Sequence, residues 1–123
     1  MRKVVVTGLG VLAPNGNNVN SFWSALIAGQ SGIGPISYFD TDDLRVSIAG
    51  ELSNFTPEPV LTPKEVRKLD PFSVYALVAG QEAIDQSGLD LTSIDLDRAG
   101  VIIGSGVGGI QTLEEQHGII MNK

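Results

Sequence analysis

The stretch that most constrains this chain is Ala99-Gly100-Val101-Ile102-Ile103-Gly104-Ser105-Gly106-Val107-Gly108-Gly109-Ile110. Its Val-Ile-Ile run has no polar alternation, the pattern of a strand buried on both faces. The glycines at 104, 106, 108 and 109 then allow a sharp turn and a close approach to another group. From Ile110 to about Met121 the residues take on helical character. Three neighbours suit such a turn on this evidence: a nucleotide phosphate, an acyl chain or an adjacent strand.

A similar pattern stands near the start, Val4-Val5-Val6-Thr7-Gly8-Leu9-Gly10, within a strand expected over Lys3 to Leu12. The echo fits either an internal duplication or two unrelated buried strands that end in turns. Pro14-Asn15-Gly16-Asn17 follows as a turn. A helix is expected from about Val19 to Ala28, capped by Asn18 or Asn20 and ended by Gly29. Ser31 to Pro35 reads as loop, and Val46 to Leu52 as a short edge strand.

Thr62-Pro63-Lys64-Glu65 starts a short helix, with a Thr-x-x-Glu capping box and proline at the first helical position. Asp70-Pro71 caps and opens another, which Gly88 closes. Within Phe72–Ser87 the apolar residues cover most of the circumference. Such a helix belongs deep inside a larger body. In isolation the 123 residues are therefore expected to associate or to stay loosely packed. Leu89 to Arg98 is an acidic loop, and the chain stops at Lys123 while a helix is running, so its end reads as a cut.

Composition excludes several classes. There are no cysteines, hence no disulfide, no thiolate zinc site and no cysteine nucleophile within these residues. A net charge of −6 argues against nucleic acid as a partner. No apolar run approaches the ~18–20 residues of a membrane span. The strand starting almost at Met1 leaves no room for a signal peptide, so a cytoplasmic protein is expected.

Gly104-x-Gly106-x-x-Gly109 formally matches a dinucleotide-binding pattern. The full signal needs a helix, a further strand and an acidic residue about 20 positions on, and the chain ends first. Ser105 is not in a G-x-S-x-G elbow, since Ile103 and Val107 stand where glycines are needed, and it reads as a turn residue. His117, the single histidine, reads as a polar residue on a helix. Asp40, Asp42 and Asp43 lack EF-hand spacing and suit a solvated loop. No metal or cofactor is expected.

Three of the eight basic residues lie close together: Lys64, Arg67 and Lys68. At i, i+3 and i+4 they share one helix face. Complementing the helix C-terminus accounts for Arg67 and Lys68, while Lys64 lies in the first turn, where a cation is mildly unfavourable. Docking of an anionic partner is the other reading, and both stay open at this point.

Taken in order, these segments resemble a family. Val4 to Gly16, Phe22-Trp23-x-x-Leu26, Gly29-x-Ser31-Gly32-Ile33, Lys64-x-x-Arg67-Lys68-x-Asp70-Pro71-Phe72 and Gly104-Ser105-Gly106-Val107-Gly108-Gly109 resemble β-ketoacyl-acyl carrier protein synthases of type II fatty-acid synthesis. The resemblance covers the whole chain. It implies an α/β, thiolase-type fold, of which residues 1–123 would be an incomplete N-terminal domain, with a sheet packed between helices.

It also implies an acyltransferase that performs a decarboxylative Claisen condensation. A cysteine would carry the acyl group and two histidines would assist. Those residues are not in this chain, so no catalytic residue is assigned here and the segment alone is expected to be inactive. The resemblance gives Lys64, Arg67 and Lys68 the docking of acyl carrier protein, and Gly106, Val107 and Gly108 the wall of the acyl pocket. It further implies a homodimer in the intact enzyme. Other readings are a non-catalytic partner subunit of the chain-length-factor kind and a nucleotide-binding α/β domain.

Overall fold

The computed structural model describes residues 3–122. Its elements are α1 (Val19–Ile27), β1 (Ile33–Pro35), β2 (Ile48–Gly50), α2 (Pro63–Val66), α3 (Pro71–Ser87), a 3-10 turn at Leu96–Arg98 and α4 (Ile110–Met121). They fall into two compact units. One is residues 3–56 together with Ala79–Gly88; the other is Pro57–Val78 and residues 89–122.

In the first unit, α1 starts where its cap residue places it. Asn18 Oδ1 accepts from the Ser21 N–H at 2.8 Å, and Ser21 Oγ accepts from the Asn18 N–H at 3.3 Å. This reciprocal pair satisfies two donors that a helix start leaves open. Gly29 follows the helix at φ +66, the left-handed conformation that ends helices.

β1 and β2 pair antiparallel, with Ile33 opposite Gly50 and Pro35 opposite Ile48. The strand expected at 46–52 is thus present over three residues. The loop expected at 31–35 is instead its partner: a backbone ladder forms there although the Ile-Gly-Pro sequence carries no strand pattern. Just past the ladder, Ser37 donates from its N–H and hydroxyl to Glu51, at 3.0 and 2.6 Å, and lowers that carboxyl's pKa.

The two strands expected at 3–12 and 101–103 are not formed among the described residues. A strand exists only where a neighbour supplies the ladder. Val4 and Ile102 stand 95% and 98% exposed. The run from Gly8 to Val11 lies instead along the second half of α3. A Cβ at Gly8 would overlap the Ala83 carbonyl, and one at Gly10 the Ala79 carbonyl. The backbone comes this close because glycine has no side chain. The N–H of Leu9 donates to Gln86 Oε1 at 2.6 Å and that of Val11 to Glu82 Oε2 at 2.9 Å. Glu82 Oε1 also accepts from the Val19 N–H at 2.8 Å, in the first turn of α1.

In the second unit, Thr62 and Glu65 form the expected capping box of α2, with Pro63 at its first position. Asp70 opens α3 through its carbonyl, which accepts from Ser73 and Val74 at 2.9 and 3.2 Å. Across the described residues the buried apolar side chains are few: Ala25, Leu61 and Val74. α3, whose composition calls for cover on nearly all sides, buries Val74 and leaves Leu77 exposed. No described helix is long and apolar enough to cross a membrane.

Candidate functional site

The glycine turn is held by polar contacts within its own unit. Ser105 Oγ accepts from the Gly108 N–H at 3.0 Å, which makes Ser105 the turn residue its sequence setting indicated. Gly108 takes φ +75, a conformation that side-chain-bearing residues rarely adopt. A Cβ placed there would sit 3.8 Å from the Phe72 ring. Gly109 is the N-cap of α4 and has no side chain with which to cap it. Val107, between these anchored glycines, is 72% exposed.

The Asp70 carboxylate lies against Gly109, close enough that a Cβ there would overlap it, and it accepts the hydroxyl hydrogen of Thr112. A carboxylate at a helix N-terminus is electrostatically favourable. The sequence places Asp70 at the start of α3 and Phe72 in the motif that follows it, and gives Thr112 no role. Nothing local in the sequence pairs residues 42 positions apart.

Lys64, Arg67 and Lys68 are all exposed. Lys64 lies in α2, Arg67 is its C-cap, and the Lys68 N–H donates to the Glu65 carbonyl at 2.9 Å as the winding continues. In a helix of four residues the first and last turns coincide, so the helix dipole does not set Lys64 apart from its two neighbours. What persists is local charge: three solvent-facing cations in a chain of net charge −6.

Other candidates are set aside by their surroundings. His117 is exposed on α4. Asp40, Asp42 and Asp43 form no metal-holding group, and the described residues contain no such cluster of acidic or histidine side chains. Two shallow depressions flank Pro14, one against β1 and β2 and one against the Asn15–Asn18 turn.

The family follows from comparison with known proteins. Residues 1–122 match the family model described as beta-ketoacyl synthase, N-terminal domain. The chain belongs to that family. Among curated relatives it is 44% identical over 122 residues to the 3-oxoacyl-[acyl-carrier-protein] synthase 2 of Vibrio cholerae, covering 99% of this chain and 30% of that protein. The protein of the same name from Staphylococcus aureus is 43% identical, with the same coverage.

Two solved structures are similar as well. One is the ishigamide ketosynthase/chain length factor, at TM-score 0.72 and 29% identity over 94% of this chain and 30% of that one. The other is a type II polyketide synthase complex in which an acyl-carrier protein is bound to its ketosynthase. It aligns at TM-score 0.73 and 33% identity, over 93% of this chain and 29% of the other. The fold is therefore part of an α/β, thiolase-type architecture. The chain spans about 30% of the length of the relatives it matches.

Proposed function

We propose that the chain is a segment of a 3-oxoacyl-[acyl carrier protein] synthase, an acyltransferase that lengthens acyl thioesters by decarboxylative Claisen condensation with malonyl carrier protein. The observation that carries this reading is 44% identity sustained over 99% of the chain with a protein of that name. The segment contributes recognition, not chemistry. It has no cysteine to carry the acyl group, and its one histidine is on an exposed helix. The nucleophile and the two histidines would come from the rest of the enzyme, a cytoplasmic homodimer.

Lys64, Arg67 and Lys68 receive the acidic carrier protein by charge-assisted contacts and steering. Gly106, Val107 and Gly108 form part of the acyl-pocket wall, with Val107 presented to the chain by the glycines beside it. A second reading is a non-catalytic partner subunit, favoured by the likeness to a ketosynthase/chain length factor. Sequencing the reading frame beyond codon 123 separates the two. A cysteine in a small-residue turn followed by two histidines supports the synthase, and another residue at the cysteine position supports the partner.

Docking is tested by reversing the three charges, Lys64→Glu, Arg67→Glu and Lys68→Glu, in the intact enzyme. KM for the carrier substrate is expected to rise about ten-fold or more at low ionic strength, and the difference is expected to shrink as salt is added. An unchanged KM at low salt refutes the patch.

A further inference from the structure

Asp70 stands between the two recognition features. Lys68 is two residues before it. Its carboxylate accepts the Thr112 hydroxyl hydrogen one turn into α4, and lies where the cap of that helix belongs. Phe72, two residues after it, faces Gly108. The turn is thus tied at two points, internally by Ser105 to the Gly108 N–H and externally by Asp70 at the start of α4. Val107 lies inside the loop that the Ser105–Gly108 bond closes and is largely exposed, so the residues of this chain give it little packing. Its position depends on polar bonds, and the external one runs through Thr112.

We propose that Asp70, acting through Thr112, is a positioning residue that sets where Val107 stands and thereby which acyl lengths the pocket accepts. The proposal rests on the acyl-pocket reading above. Asp70 touches no substrate in this account. Thr112 offers the sharper test, because Thr112→Val keeps the shape and removes the hydroxyl, whereas Thr112→Ser keeps the hydroxyl.

The experiment measures kcat/KM of the intact enzyme for short, medium and long acyl carrier substrates, alongside amide hydrogen exchange over residues 104–110. Thr112→Val is expected to change the long-to-short ratio by about five-fold, with faster exchange across the turn, and Thr112→Ser to restore both. The docking variant is expected to lower kcat/KM for every length alike, which separates failure of this proposal from failure of the patch. A uniform loss in Thr112→Val that tracks its thermal stability overturns the proposal, since a purely structural bond acts that way. So does an unchanged ratio where Val107→Phe shifts it. If Val107→Phe leaves the ratio unchanged too, the pocket reading has failed. Exchange then decides: faster exchange in Thr112→Val upholds Asp70 as the holder of the turn, and unchanged exchange overturns it.

Discussion

At Gly8 and Gly10 a Cβ would overlap the backbone of α3, while at Gly104 and Gly106 it would find nothing within 4 Å. The two stretches share an apolar triplet followed by spaced glycines. The first uses its glycines to lie against a helix, and that helix returns two side chains, Glu82 and Gln86, to the N–H groups of Val11 and Leu9. The second uses only the last part of its run: Gly108 for a left-handed turn and Gly109 for room beside Asp70. Equal spacing of glycines therefore says that backbone freedom is needed, and leaves open whether the need is for contact or for a turn. The first region is anchored by packing and paired hydrogen bonds. The second is anchored at its far end and free at its tip.

The largest expected effect breaks the first anchor. Glu82 accepts from both Val11 and Val19. Removing it by Glu82→Ala orphans two part-buried donors at once, expected to cost about 2–3 kcal/mol of unfolding free energy in denaturant titration of the intact protein. Gln86→Ala, which releases the Leu9 N–H alone, is expected to cost clearly less. Equal losses for the two would show that the carboxylate is not a double acceptor in solution.

The next test contrasts the glycines directly. Gly10→Ala drives a methyl into the Ala79 carbonyl, an overpacking expected to cost about 1–3 kcal/mol. Gly104→Ala meets open space at a residue whose φ is not left-handed, so a change within about 0.5 kcal/mol is expected. If the two variants melted together, the difference between the regions would be lost.

The features legible in the sequence are those decided within a few residues. Asn18, one of the two residues expected to cap α1, Thr62 with Glu65, and Gly29 after α1 are all local hydrogen-bond or backbone arrangements, and all appear in the structure. What escaped was decided by distant partners. β1 has no side-chain period to read, because a Gly-Pro strand is specified by the ladder from Ile48–Gly50. The run Val101-Ile102-Ile103 has strong strand character and no ladder among the described residues, so composition there outran pairing. Glu82 reads as one more acidic residue on a helix until Val11 and Val19 arrive from 71 and 63 positions away. Asp70 is half legible: its role at the start of α3 is local, and its bond to Thr112 is not.

The smallest effect concerns pH, and it separates each turn from the helix or hairpin in its own unit. The carboxyl of Glu65 is lowered from 4.5, first by the Thr62 hydroxyl and then by the Thr62 N–H. Glu51 is lowered in the same direction by the hydroxyl and N–H of Ser37. A carboxyl whose pKa is lower folded than unfolded stabilises the fold above the unfolded value, and that contribution fades as pH falls through the folded one. Glu65 is exposed and Glu51 partly so, so solvent screens them and the effect is small. Glu65→Gln carries no titrating proton. Its denaturant midpoint is expected to fall less than that of the parent as pH drops below the carboxylate range, with the two curves approaching each other at the acid end. Glu51→Gln should do the same for the hairpin that holds β1 and β2. Glu51 bonds to Ser37 and Tyr38 and Glu65 to Thr62, so amide exchange in the glycine run of each one's own unit should respond to acid alike in parent and variant. A variant that altered exchange in the glycine run of its own unit would show that carboxylate and run are coupled there, and that the contrast between an anchored and a free glycine stretch depends on more than the contacts at each.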